Sequence, residues 1–236
     1  MADQFKVGVL LSGSGVYDGS EIHEAVFTLL ILQKLGVKTH CFAPNVTQHH
    51  VINHLTGEEM SEKRNVLIEA ARIARGDIQD LAEINIDELH ALAMPGGFGA
   101  AKNLTKWAFS GPEGAILEEV QQTIQAFHQA KKPIAAICMS PTTVAKALEG
   151  THAHATLTVG TTIEQSPYDI QAISDGMKKV GANPSMKSVK EIEIDEENRI
   201  VTSPCYMMEA SIVEVYEGIE KTMEALVNLI QEDIPV

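Results

Sequence analysis

A cysteine, a glutamate and a pair of glycines stand at or just beyond the ends of apolar runs, and together they could hold and attack a small carbonyl compound. Cys138 closes the run 133–138, in the string Ala136-Ile137-Cys138-Met139-Ser140-Pro141. A sharp strand-to-helix elbow needs small residues two places either side of its nucleophile, because larger ones collide. Ala136 and Ser140 meet that need. Pro141 suits the first turn of the helix that follows, where its missing N–H would have no partner anyway. Glu24 comes early in the helix after Ser12-Gly13-Ser14-Gly15, and Pro95-Gly96-Gly97 ends another run.

The chemistry asks for more than the elbow. A helix N-terminus favours a thiolate by only about 0.3–1 kcal/mol, up to about 2, whereas moving a thiol pKa from about 8.5 to about 5.5 takes roughly 4 kcal/mol. A partly buried Glu24 that keeps its proton could supply the rest by donating to the sulfur; an ionised Glu24 would oppose the thiolate. Gly96 lets bare backbone approach, so the N–H groups of Gly97 and Met139 could hold a developing oxyanion. Candidate bases are His23, His152 and His154. Each feature has a plainer reading: a cysteine ending an apolar strand is more often buried packing, and Gly-Gly more often only a turn. Cys41, inside a predicted strand, and Cys205, after a predicted hairpin, read as packing residues. His50 and His54 stand at i,i+4 with His49 adjacent, but no suitably spaced carboxylate or cysteine completes a site, so no metal is expected.

The elements that would position these residues alternate. Residues 5–12, 37–43, 89–94 and 133–138 read as strands that are apolar on both faces, as buried parallel strands are. Ile22, Val26, Leu29 and Leu30 recur at helical spacing, with Asp18 and Glu21 as a possible capping pair. Ile116, Val120, Ile124 and Phe127 mark a crossover helix. A helix from about Pro141, a strand at 157–161 and a helix carrying Ile170, Ile173, Met177 and Val180 follow. A hairpin of 189–194 and 199–202 precedes a last helix with Ile212, Tyr216, Ile219, Met223, Leu226 and Ile230. The sum is one α/β domain over 1–236 with a flavodoxin-like, doubly wound, mostly parallel sheet, and residues 45–76, which contain a predicted helix at 61–74, fit as an insertion near the site. Ligands in such a sheet bind beyond the carboxyl ends of the strands.

Composition narrows the function. Lys and Arg number 18 against 32 Asp and Glu, a net charge of -14, which repels phosphate backbones and excludes nucleic acid as a partner. Apolar runs are too short for a membrane span. Met1-Ala2-Asp3-Gln4 lacks the basic and apolar regions of a leader, and three sparse cysteines suit a reducing compartment. A cytoplasmic protein is expected.

The strings LSGSGVYDGSEIHEA (11–25), NHLTGE (53–58), RNVLIEAARIARG (64–76) and PGGFGAAKNL (95–104) resemble the PfpI and Parkinsonism-associated deglycase superfamily. This superfamily is similar in fold to class I glutamine amidotransferases. Within it they look like the ElbB-type branch, described as isoprenoid-biosynthesis proteins with an amidotransferase-like domain. The resemblance implies Cys138 as nucleophile, Glu24 as its carboxyl partner, Gly97 and Met139 as oxyanion donors, and a homodimer. It further implies a cofactor-free glyoxalase that converts glyoxal, and methylglyoxal with it, to the 2-hydroxy acid through a hemithioacetal. Two departures stand out. Thr158 occupies the spacing at which the superfamily often places a histidine, and residues 202–209 contain none of the late histidines that amidotransferases use. Competing readings are a redox sensor or chaperone-like protein with an oxidisable Cys138, and an accessory partner in isoprenoid metabolism.

Overall fold

The computed structural model describes residues 5–232, and in it the apolar runs become the middle of one sheet. The chain lays down β1 (Lys6–Leu10), α1 (Ile22–Lys34), β2 (Lys38–Ala43), α2 (Val66–Ile73) and β3 (Ile78–Asp80). It continues with β4 (Ala91–Met94), α3 (Trp107–Ser110), α4 (Glu118–Gln129), β5 (Ile134–Ile137) and α5 (Ser140–Ala147). Then come β6 (Thr156–Gly160), α6 (Ile170–Lys179), β7 (Asn183–Met186), β8 (Glu193–Asp195), β9 (Ile200–Ser203) and α7 (Ile212–Glu232). The seven-stranded sheet runs β3-β2-β1-β4-β5-β9-β8, parallel except for the β8–β9 pair.

That order is doubly wound. The chain builds outward from β1 to β3, then returns to the other side of β1 with β4 and β5, so the direction of winding reverses between β1 and β4. A crevice opens at the carboxyl ends of strands at such a reversal. Every residue of β4, β5 and β9 is buried, which explains the unbroken apolar runs. Val120, Ile124 and Phe127 of α4 are wholly buried, each contributing about 1.5–3 kcal/mol if an apolar side chain of that size leaves water.

Several expectations are corrected. The predicted strand at 157–161 does form, as β6, but outside the main sheet: it pairs in parallel with β7 in a separate two-stranded sheet. The reason is occupancy. β8 takes the outer edge of β9, leaving β6 attached through the Thr158 amide, which donates to Thr202 Oγ1 at 3.0 Å, and the Thr156 amide, which donates to Asp195 Oδ2 at 2.6 Å. β7 escapes prediction because Asn183-Pro184-Ser185-Met186 has no apolar run and contains a proline, which strands tolerate only at edges. β3 is a three-residue edge strand. The helix expected over 61–74 is α2, capped by Asn65, whose side chain accepts from the Ile68 N–H. Residues before it form a loop held by the bridges Thr47↔Asn65 and Ile52↔Glu59. The predicted capping pair is also replaced: Glu21 is itself the cap of α1, its Oε2 accepting from the Glu24 N–H at 2.7 Å, while Asp18 Oδ2 accepts from Ile52 N at 2.7 Å.

Candidate active site

β5 ends at Ile137, and the next residue breaks the strand. Cys138 has φ +59°, in the left-handed region, a conformation that costs an ordinary residue roughly 1–2 kcal/mol. The surroundings hold it there. Its N–H donates to Ser203 O at 2.9 Å, the last rung shared with β9, and Ser140 Oγ, two residues on, donates to Pro95 O at 2.6 Å. Ser140 is therefore more than small: its hydroxyl ties the elbow to the end of β4.

The loop after β4 closes on the same point. A Cβ on Gly96 would collide with the Cys138 Cβ and lie 2.6 Å from Glu24 Oε2 and 2.8 Å from Cys138 Sγ. No other residue type fits between the two side chains. Gly97 has φ +98°, and a Cβ there would strike the backbone of Gly19 and Glu21. The loop after β1 is laced to this one: Glu21 N donates to Gly96 O at 2.9 Å, Phe98 N to Val16 O at 2.8 Å and Gly99 N to Gly19 O at 2.8 Å. Asn103 clamps both, its Nδ2 donating to Ser12 O and Asp18 O at 2.9 Å each while its Oδ1 accepts from His49 N at 2.9 Å.

Glu24 is wholly buried beneath this lacing. Its Oε2 accepts from Gly96 N at 3.1 Å, its Oε1 from Tyr206 N at 3.2 Å, and its carboxyl hydrogen-bonds the Cys138 thiol. Burial first, then the neighbouring Glu21 carboxylate, push its pKa up to about 8. Cys138 does not show the depressed pKa expected from the sequence. Burial pushes the thiol up, and ionised Glu24 pushes in the same direction, against a hydrogen bond from the Gly97 N–H to the sulfur. The repulsion exists only while Glu24 is charged. Below about 8 it carries its proton, and it is then chiefly burial that opposes the thiolate. The two groups thus share the cost of a single negative charge. Gly97, expected as an oxyanion donor, addresses the sulfur itself; Met139 stands at the N-cap of α5.

The histidine bases fare differently. His154 hydrogen-bonds Gly181 O through Nδ1 at 3.0 Å, at the amino end of β6, and it and His152 are exposed. The crevice lies at the opposite, carboxyl end, so neither serves Cys138. His23 neighbours Glu24 in sequence, but its ring points outward, its Nδ1 2.9 Å from Tyr206 OH. Thr158, at the spacing of the superfamily histidine, is buried and bonded within β6. His49 meets Lys106 Nζ at 3.2 Å and His54 Nε2 lies 3.9 Å from Asp18 Oδ1. Among the described residues no group of three His, Cys, Asp or Glu side chains is placed to hold a metal ion, and no helix is long and apolar enough to cross a membrane.

Sequence reading missed three site residues. Tyr206 supplies an N–H to Glu24. Cys205, read as packing, lies beside the elbow: its Sγ is 3.5 Å from Ser203 Oγ and lies against the Cys138 backbone. Both follow the end of β9, so the rule that singled out residues just past strands would have found them. Tyr168 has its ring edge-on to Phe98 at 5.7 Å, and burial first, then the Cys138 and Glu24 charges, lift its pKa to about 12. Nothing in its sequence context signals that placement.

Comparison with known proteins gives a consistent answer. The DJ-1/PfpI family matches residues 15–204. A rat protein, "ES1 protein homolog, mitochondrial", is 41% identical over 95% of this chain and 84% of its own. The human "Glutamine amidotransferase-like class 1 domain-containing protein 3, mitochondrial" is likewise 41% identical, over 95% of this chain and 83% of its own. Among solved structures, an isoprenoid biosynthesis protein with amidotransferase-like domain from Ehrlichia chaffeensis superposes with a TM-score of 0.86 at 36% identity, covering 95% of this chain and 99% of that one. Drosophila melanogaster DJ-1beta shares the fold at 20% identity and a TM-score of 0.52, covering 98% of this chain and 95% of that one.

Proposed function

Starting from the fact that the chain belongs to the DJ-1/PfpI family, we propose that it is a glyoxalase of the ElbB type, converting glyoxal, and methylglyoxal more widely, to the 2-hydroxy acid without glutathione, metal or cofactor. One observation carries the reading: a left-handed Cys138 hydrogen-bonded to a buried Glu24 whose pKa is lifted to about 8. A carboxyl group titrating near working pH can both take and return a proton.

The reaction then runs as follows. Glu24 takes the thiol proton as the Cys138 sulfur adds to the aldehyde carbon, and the new oxyanion rests on the Met139 N–H at the start of α5. The proton passes to the alkoxide, giving the hemithioacetal. Glu24 carboxylate next removes the hydrogen of that carbon and delivers it to the neighbouring carbonyl carbon, while the hydroxyl proton of the first carbon passes to the second oxygen, turning the hemithioacetal into a thioester. Water hydrolyses the thioester, releasing acid and thiol. Tyr168, with its pKa near 12, stays protonated and donates a hydrogen bond to the substrate's second oxygen. No step calls on a histidine, in keeping with the placement of His23, His152 and His154.

Glutamine hydrolysis, named for the human relative's domain, is not part of the proposal, because residues 202–209 contain no late histidine. The accessory role in isoprenoid metabolism rests on the wording of one neighbour's description. The reaction belongs in a reducing compartment, which three unpaired buried cysteines suit. Cytoplasm is the sequence expectation, whereas the rat and human relatives are mitochondrial by name.

The test is direct quantification of glycolate and lactate from glyoxal and methylglyoxal, by wild type and Cys138→Ala, without glutathione or metal. Acid from wild type alone supports the reading. Equal rates, or none from either, sink it.

A further inference from the structure

Cys205 is a buried nucleophile that the carbonyl chemistry leaves idle. It is 1% exposed. It follows β9 as Cys138 follows β5, and these strands pair with Ile137 beside Ser203. Cys138 therefore comes one residue, and Cys205 two residues, past a matched pair on adjoining strands. Adjoining strands lie about 4.7–4.9 Å apart, inside the span of about 4.4–6.8 Å between Cα atoms that a disulfide bridges. Both residues also leave the extended conformation, with φ +59° for Cys138 and +48° for Cys205. This turns Cys205 back towards the Cys138 backbone, with its sulfur 3.5 Å from Ser203 Oγ. A packing cysteine has no need of a left-handed backbone or of a place against the backbone of a second cysteine.

We propose that Cys205 is the resolving partner of Cys138 in the reduction of hydroperoxides, closing an intramolecular disulfide between the ends of β5 and β9. Glu24 takes the Cys138 thiol proton as the sulfur attacks the distal oxygen of the hydroperoxide; an S–O bond forms, the O–O bond breaks, and the departing alkoxide or hydroxide takes that proton back from Glu24. Sulfur loses two electrons and the peroxide gains them. The Cys205 sulfur then attacks the sulfenic sulfur, forming S–S and breaking S–O, and the hydroxyl leaves as water with the Cys205 proton. A dithiol reductant restores both thiols. The disulfide keeps Cys138 from climbing to the sulfinic acid, which thiols do not reverse, and while it stands it withholds the nucleophile from carbonyl substrates.

The experiment treats folded wild-type protein with an excess of hydrogen peroxide, blocks remaining thiols, and maps peptides by mass without reduction. The expected product is a Cys138–Cys205 linked peptide, lighter than its parts by two hydrogens, that disappears on adding dithiothreitol. Cys205→Ala, checked for native circular dichroism, should form no link and carry two added oxygens on Cys138 instead. A wild type in which Cys138 gains two oxygens while Cys205 stays a free thiol overturns the proposal, as does a link through Cys41. The readout needs a nucleophilic Cys138 but no carbonyl turnover, so a linked peptide from a protein inert towards glyoxal would leave this inference standing while the glyoxalase reading fell.

Discussion

Cys41 and Cys138 are both unpaired and both buried, one inside and the other just past the end of a parallel strand of the same sheet, yet their regions could hardly differ more in what they offer a sulfur atom. Cys41 lies inside β2, in register with Val9 on one side and Ile78 on the other. Burial lifts its pKa to about 11. A groove of about 360 Å³ runs past it, lined by Lys38, His40, Asp77 and Glu88 among others, so the region lacks neither space nor charge. It lacks free backbone. Within a strand the N–H groups are spent on the ladder, whereas just beyond its last rung they can turn to a side chain or a ligand. Cys138 stands at such a place, with the Gly97 N–H on its sulfur and the α5 N-terminus beside it. A reactive site here is made by where the ladder stops.

The sharpest way to break this comparison is to remove each sulfur. Cys138→Ala should lower acid formation from glyoxal by at least about 10³-fold, as loss of a covalent nucleophile does, while Cys41→Ala should stay within about twofold of wild type; steady-state rates for the pair decide it. Gly96→Ala comes next. The added methyl has no room between Cys138 and Glu24, so activity should fall at least about 10-fold and stability by about 1–3 kcal/mol, the usual cost of overpacking, read from denaturant unfolding.

Glu24→Gln sharpens the electrostatic half. Wild-type Glu24 has a folded pKa of about 8 against 4.5 unfolded, a raised value, so its favourable contribution is complete below 4.5 and is lost as pH rises towards 8. The loss is on the order of 5 kcal/mol. Glutamine does not titrate and should flatten that part of the curve. At acid pH it should be the less stable protein by about 1–3 kcal/mol, because it offers one carbonyl oxygen where Gly96 N and Tyr206 N each need an acceptor. The two stability curves should cross between these pH values, and a series of unfolding titrations from acid to mildly alkaline pH would show it. Curves that stay parallel would mean Glu24 is ionised throughout. Wild type is expected to gain kcat/KM as pH rises towards about 8, and the variant should lose that rise. The smallest effect expected is on the stability of Cys41→Ala, about 1 kcal/mol from a small buried cavity.

Sequence showed the centre of this molecule well and its margins poorly, and the reason is physical. β1, β4 and β5 are buried on both faces, so they appear as unbroken apolar runs, and the residues after them could be picked out by type: Cys138, Gly96, and Glu24 on the helix that follows. Edge elements carry no such mark. β3 contains Gln79 and Asp80, and β7 contains Asn183 and Pro184, because neither has two faces to bury. Contacts between distant loops were invisible for another reason: whether Tyr206 or Tyr168 reaches the crevice depends on strand order, and the detour of β6 into its own small sheet hinged on β8 having taken the edge of β9. Periodicity reports which face of an element is buried, and says nothing of which neighbour buries it.

One side chain couples three loops. Asn103 holds the carbonyls of Ser12 and Asp18 and the amide of His49 at once, and it is almost wholly buried. Segments joined through a common buried amide do not open singly, since freeing any of them strands the same polar group away from water. The backbone amides of 12–20, 48–54 and 96–104 are accordingly expected to exchange with deuterium as one cooperative unit, at a rate set by this asparagine. The crevice would then admit its substrate by concerted breathing of its whole rim.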